Sequence, residues 1–378
     1  MNKQYDVIIV GAGIAGLVAG NYLAKAGLRV LIAEHHCSVG GCCSSFNRGG
    51  FTFDSGAHSL GSCRKGGQFD RVLRELGIIK KIKIKRSEPS DTVITGDLRI
   101  DFKGDASQMA SDLAAFFPRE SKAIRIFFEE LDSFDVNQTK SFVSYYSKYK
   151  TSLFRHMLDF YFSDHKLKEI LCTFLGNLGL ASYQIGALPA IAMFKEFVID
   201  GGYYVQGGMQ VFVNFLAENF VSYGGTLLLR NKVTKIVVQE RRARGIETSE
   251  NGYIDAEYVI STASVKQTFL EMVGRDFLTT KFINKVTSLI PSVSSLVLYL
   301  GVQSSPVNRS GWGRTVWYIP KSNADEVYGK VFGGEVDSNA EALLLAFPSH
   351  YDKTLAPFGS ESVYCFLTAP FQNAQFWS

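Results

Sequence analysis

The chain has no apolar run approaching the roughly 18 residues that a membrane-spanning helix requires, so no segment of it reads as a transmembrane helix. Charge imbalance is nearly absent as well: 40 Lys and Arg face 36 Asp and Glu, and a net +4 leaves no electrostatic footprint for a nucleic-acid partner. Cysteine is sparse. The six, Cys37, Cys42, Cys43, Cys63, Cys172 and Cys365, form no zinc spacing. No signal peptide is visible, since Met1 to Asp6 runs directly into the first strand, so a non-secreted chain without a disulfide framework is expected. The expectation is a cytoplasmic protein without a metal, with peripheral membrane association left open and the oligomeric state unassigned. Internal repeats and low-complexity linkers are missing too, which points to interleaved domains instead of domains strung on a tether. The one basic run, Lys80 to Arg86, alternates Lys81, Lys83 and Lys85 with Ile82 and Ile84. That is the pattern of a strand with one wet face, preferred here over a lipid-binding patch.

What is present is concentrated at the start. Val7 to Val10 is an apolar β-branched run of the kind found in buried parallel strands, and it stops at Gly11, Gly13 and Gly16. A helical period follows through Ile14, Leu17, Val18 and Leu23 until Gly27, and Arg29 to Ala33 forms a second strand ending at Glu34. Each glycine has its own mechanical reason. Gly11 permits a tight turn, Gly13 lets backbone approach a pyrophosphate, and Gly16 lets the helix pack closely on the sheet, its N-terminus facing the phosphates. Glu34 ends the second strand where a ribose would lie. A carboxylate there accepts from a 2′-hydroxyl and repels a 2′-phosphate, so the unit reads as an FAD or NAD site and not an NADP site. His35, His36, Cys37, Cys42 and Cys43 crowd together just after it, but the dinucleotide fold already gives that backbone a role, and no metal is assigned.

A length of 378 residues allows two domains, and 46% hydrophobic residues with 29 Phe make the chain globular. Past Glu34 come Gly40, Gly41, Ser44 and Ser45, then a short strand Phe51 to Asp54 and a turn Ser55 to His58. Gln68 to Gly77 reads as an amphipathic helix, and Thr92–Thr95 with Arg99–Phe102 as a hairpin about Gly96 and Asp97. From Asp105 to about Ile199 the text is helical and dense in Phe, mostly core, with a density that also suits a long apolar cavity. Gly201 to Met209 then opens a helix over Gln210 to Tyr223. Strands follow at Thr226–Leu229, Val233–Gln239, Arg244–Glu247 and Tyr258–Ser261. A second sheet is expected from Ser292–Val302, Thr315–Ile319, Ala342–Phe347 and Ser362–Leu367.

The glycine module, the Gly40-Gly41 pair and the segment F-D-S-G-A-H at Phe53 to His58 resemble the FAD-dependent oxidoreductases of the phytoene desaturase and carotenoid isomerase family, relatives of the flavin amine oxidases. The resemblance implies an α/β fold: a Rossmann-like FAD/NAD(P)-binding domain, residues 1–90 and 201–290, interleaved with a mixed-sheet and helical substrate domain, residues 91–200 and 291–378. It implies FAD as cofactor, held by Gly11, Gly13, Ile14, Ala15, Gly16, Glu34, His35, Gly40, Gly41, Cys42, Gly56, Ala57 and His58, with the backbone of Val233 at the adenine. Cys42 stands where many relatives have Arg, which removes one phosphate cation and weakens the amine-oxidase reading. No late strand, Gly-rich turn and helix for the flavin end of FAD is seen in residues 303–378, so a fragment or truncated form with weak FAD affinity is expected.

The activity implied is hydride exchange between flavin N5 and an apolar isoprenoid or polyene, as in desaturases, isomerases and saturases, with the protein supplying orientation and a dry cavity. His58 is the candidate acid or base, or else a turn hydrogen-bonder. Two other readings stand beside it: a flavin amine oxidase, and a non-catalytic prenyl-lipid carrier like the Rab GDP-dissociation inhibitors.

Overall fold

A computed structural model describes residues 4–303, 311–320, 323–335 and 342–371. Met1 to Lys3, before the first strand, and the terminal Trp377 and Ser378 lie outside the described residues. The β-branched run is β1 (Tyr5–Val10), buried along its second half as a strand covered on both faces must be. It leads through the glycine turn to α1 (Ile14–Lys25) and parallel β2 (Val30–Ala33), with Val7 opposite Val30. β3 (Ser45–Arg48) and β4 (Phe51–Asp54) then form a hairpin. Only β4 is expected from periodicity. The overlooked signal is Gly49-Gly50, whose φ of 58° and 82° supply the two left-handed positions of a tight hairpin turn.

After α2 (Gln68–Glu75), the basic run gives only a three-residue strand, β5 (Ile84–Arg86). Lys81 N–H closes a turn on Ile78 at 2.9 Å, so the chain reaches its partner strand late. The wet-face pattern itself holds: Lys81, Lys83 and Lys85 are exposed and Ile82 is buried. The hairpin β6 (Asp91–Thr95) and β7 (Leu98–Phe102) precedes six helices: α3 (Ala106–Phe116), α4 (Ser121–Ser133), α5 (Thr139–Tyr149), α6 (Phe154–Tyr161), α7 (His165–Thr173) and α8 (Ala187–Met193). Phe127, Phe128, Phe154, Phe174 and Phe194 fill their common core together with Phe102, whereas Phe116, Phe142 and Phe160 stay exposed.

β8 (Tyr203–Val205), which pairs with β5, and α9 (Met209–Ser222) return the chain to the first sheet. There follow β9 (Thr226–Leu228), β10 (Val233–Gln239), β11 (Arg242–Thr248) and β12 (Gly252–Ser261). The last stretch holds α10 (Thr280–Thr287), β13 (Ser294–Gln303), β14 (Thr315–Tyr318), α11 (Ala324–Phe332), β15 (Leu343–Ala346), α12 (Pro348–Tyr351) and β16 (Ser360–Ala369). Among the described residues one sheet runs β10-β11-β12-β1-β2-β9 and the other β13-β16-β15-β14-β6-β7. In the first, β12, β1, β2 and β9 are parallel and β10 to β12 form an antiparallel meander. In the second only β14 with β6 is parallel. Each sheet takes strands from two separated stretches of chain, and Phe53 of β4 packs on Tyr364 and Ala346 of the second. No helix among the described residues is long and apolar enough to cross a membrane.

Candidate cofactor site and adjoining cavity

The three glycines of the opening turn are required for three different reasons. Gly11 sits at φ +98°, and a Cβ on Gly16 would lie 2.1 Å from the Gly11 carbonyl oxygen. A Cβ on Gly13 would meet nothing within 4 Å: the space beside it is open. Gly13 also caps α1 without a side-chain hydrogen bond, and among the described residues no side chain accepts from the first-turn N–H groups of Ile14 and Ala15. These are the bare, positively polarised donors of an anion site.

Glu34 is buried at the end of β2. Its Oε2 accepts Ala12 N–H at 2.8 Å, and its Oε1 accepts His36 N–H at 2.9 Å, with His35 Nδ1 at 3.0 Å. The carboxylate is thereby aimed along the glycine turn by donors on both oxygens, each oxygen keeping further lone pairs. Asn231 N–H donates to Glu34 O at 2.8 Å, which brings buried Val233 alongside. Among the described residues Glu34, His35 and His36 also group their ligand atoms within 4.8 Å, but the two histidines are exposed and the cysteines are not part of the group.

Gly40 bridges to Gly13 as a parallel pair and donates N–H to Ala12 O at 2.9 Å. The exposed Cys42 offers its carbonyl to Ala57 N–H at 2.8 Å, and a Cβ on Gly56 would come within 3.0 Å of the same oxygen. Thus Gly11–Gly16, Glu34–His35, Gly40–Cys42 and Gly56–His58 meet in one place, with Val233 at its margin. The open space at Gly13, the uncapped N–H groups and the oriented carboxylate suit the pyrophosphate and ribose of an adenine dinucleotide.

Gly56, Ala57 and His58 also form one wall of a cavity of about 670 Å³, within the range of small-molecule sites. Leu178, Met193, Phe197, Trp317, Leu344 and Phe366 give it an apolar lining. Its charged groups are muted. Glu196 is held bidentate by Arg64 at 2.8 and 2.9 Å. Asp91 accepts the Trp317 indole N–H at 2.8 Å, and burial raises its carboxyl above the usual carboxylate range. His58 Nδ1 lies 3.2 Å from Gly56 O, its ring 5.0 Å from Phe366. Burial first, and the Arg314 charge second, push its imidazole down to about 4, so it is neutral at pH 7.

Sequence reading misses three residues of this region. Asp91 reaches the cavity from the start of β6. Arg314, just before β14, is 1% exposed, sits 4.5 Å over the Tyr204 ring and leaves Nη2 without a hydrogen-bond partner among the described residues. Asp54 accepts Tyr204 Oη–H at 2.6 Å, Met209 N–H at 2.9 Å and Ser45 Oγ–H at 2.7 Å. Asp91 and Arg314 lie in no motif, and Asp54, although inside the F-D-S-G-A-H segment, shows its role only through Tyr204 and Met209, some 150 residues on.

A family profile described as flavin containing amine oxidoreductase matches residues 14–352. The chain is 24% identical over 405 aligned residues to prolycopene isomerase 1, chloroplastic, of an Oncidium hybrid cultivar, covering 98% of this chain and 65% of the relative. It is 23% identical to all-trans-retinol 13,14-reductase of Danio rerio, covering 93% of this chain and 63% of that protein. The chain therefore spans a little under two thirds of the length of these curated relatives. An oxidoreductase structure from Methanosarcina mazei superposes with a TM-score of 0.74 at 19% identity, covering 98% of this chain and 81% of that one.

Proposed function

Since the chain belongs to the flavin containing amine oxidoreductase family, we propose that it is an FAD-dependent oxidoreductase acting on an apolar isoprenoid or polyene. The observation that carries this reading is the apolar cavity that shares Gly56, Ala57 and His58 with the glycine-lined cradle. The names of the isomerase and retinol reductase relatives support the same substrate class. In this proposal residues 1–90 with 201–290 hold the cofactor and 91–200 with 291–378 hold the substrate. Gly13, Ile14, Ala15, Gly40, Gly41 and Cys42 present backbone to the pyrophosphate and flavin, while Glu34, His35 and Val233 take the adenosine end. The flavin, when bound, supplies hydride-exchange chemistry.

The chain's own residues do the rest. The apolar lining excludes water and orients a conjugated chain, whose C–H bonds are activated by conjugation and need no strong base. His58, neutral at pH 7 with Nδ1–H turned toward Gly56 O, keeps a free lone pair on Nε2 that can take a proton from the substrate. Glu196 and Asp91 are withheld from that task by their partners.

The test is spectroscopic. The purified chain, titrated with FAD, is expected to develop the structured visible bands of bound flavin, and anaerobic mixing with a polyene then shifts the polyene and flavin spectra together. Absence of flavin bands at saturating FAD, alongside tight prenyl-lipid binding, would favour a carrier and overturn the reading. Peroxide release with amines but not polyenes would replace the substrate class.

A further inference from the structure

We propose that α5 is a docking element for an anionic lipid surface. Gln138 to Thr151 reads Q-T-K-S-F-V-S-Y-Y-S-K-Y-K-T, with three lysines and no acid. Its inner side is tied down by Tyr145, whose hydroxyl donates to the Glu130 backbone carbonyl of α4, and by Tyr149, whose hydroxyl donates to the Glu130 carboxylate. Lys148 and the Tyr161 hydroxyl of α6 converge on the same carboxylate. The outer side presents Phe142, Val143 and Tyr146 at 38%, 53% and 51% exposure, the two rings stacked at 6.1 Å. α6 adds Phe160 at 80% and α4 adds Ile126 at 44%. Single exposed apolar groups need no explanation, but Phe142, Val143 and Tyr146 cluster on one helix, and α4 and α6, which carry the other two, meet α5 at the Glu130 carboxylate.

The charges choose the occupant. Lys148 is neutralised by Glu130, while Lys140, Lys150 and, on the outer stripe of α4, Lys122 and Arg125 make no ion pair among the described residues. The acids of the adjoining elements are mostly engaged: Asp132 by Lys195, Asp159 by Lys168, and Asp135 by Gln138 and the Asn137 N–H, leaving exposed Glu129. Aromatic rings at headgroup depth with lysines over anionic lipid are the composition of a membrane-surface helix. A second copy of the chain fits less well, because a two-fold contact would set the lysines of α5 against each other.

α5 packs against α8, and α8 contributes Pro189, Ala192 and Met193 to the cavity lining. Resting on the proposed polyene chemistry, this places the docking element one helix away from where a water-insoluble substrate has to arrive.

Vesicle sedimentation tests the surface without using turnover, so its failure is separable from failure of the enzymatic reading. The FAD-supplemented full chain should sediment with phosphatidylcholine vesicles containing phosphatidylserine, and less with phosphatidylcholine alone or at raised salt. Lys140→Glu with Lys150→Glu should weaken binding by at least about fivefold for each cation. Phe142→Ser with Tyr146→Ser should abolish it, with far-UV circular dichroism and turnover of detergent-dispersed substrate unchanged. Reversal of Lys81, Lys83 and Lys85 to Glu should leave binding as in the wild type. Equal sedimentation of wild type and the α5 variants, loss of binding only in the Lys81/Lys83/Lys85 variant, or a dimer that the Phe142/Tyr146 variant splits would each overturn the proposal.

Discussion

His58 faces the cavity as a neutral imidazole, and its titration has a definite sign. The unfolded chain gives a histidine an ordinary value of about 6.5, whereas burial and the Arg314 charge hold the folded group at about 4. Between those values the unfolded state binds a proton that the folded state refuses, so the contribution of His58 is intact above about pH 6.5 and is lost as pH falls toward 4. Replacing His58 by Gln removes the titrating group and keeps an amide that can meet Gly56 O. Urea midpoints at pH 7 and pH 5 should therefore differ less for His58→Gln than for the wild type. An identical pH slope in the two proteins would show that the imidazole is not held neutral in the fold.

At the scale of the element, the β1–α1 turn separates two glycines that look equivalent in the motif. A methyl group on Gly16 lands 2.1 Å from the Gly11 carbonyl oxygen, a backbone atom with nowhere to go, and should cost about 3 kcal/mol. A methyl group on Gly13 meets nothing within 4 Å, and its φ of −66° suits any residue. Gly13→Ala should thus cost about 1 kcal/mol or less, the price of an inferior cap, yet lower FAD affinity at least about tenfold by filling the approach to the pyrophosphate. Thermal melts paired with flavin titrations would read both arms. Unaltered FAD binding in a well-folded Gly13→Ala protein would remove the cradle from the cofactor site. This element was legible in the sequence because its causes are local: a buried strand, a turn and a helix follow one another, and Glu34 lies a fixed distance on. The β3–β4 hairpin is equally local and was readable from Gly49-Gly50. The basic run was harder, since whether it pairs depends on β8, more than a hundred residues away in the chain.

Across the whole molecule legibility falls further, because the residues that join the two sheets have no common stretch of sequence. Asp54 ends β4 and is fully buried. Its carboxylate takes Tyr204 Oη–H from β8 and Met209 N–H from the start of α9, and its own N–H donates to Tyr364 Oη of β16 at 3.0 Å. One residue thus fastens the elements leading back to the first sheet to a central strand of the second. Removing the carboxylate strands two buried donors, on Tyr204 and Met209, and the half-buried Ser45 hydroxyl, and each buried unmet group carries its desolvation cost. Asp54→Ala is expected to lose about 4 kcal/mol of stability, and Tyr364→Phe, which orphans a single N–H, about 2 kcal/mol. Because both substitutions loosen the same junction, the double variant should lose less than the sum of the two. Denaturant unfolding of the three proteins measures this directly. Strict additivity would mean that the two bonds act independently and that Asp54 does not couple the sheets; a shared loss would locate the junction on which the cofactor cradle and the cavity wall at Gly56 to His58 keep their relative position.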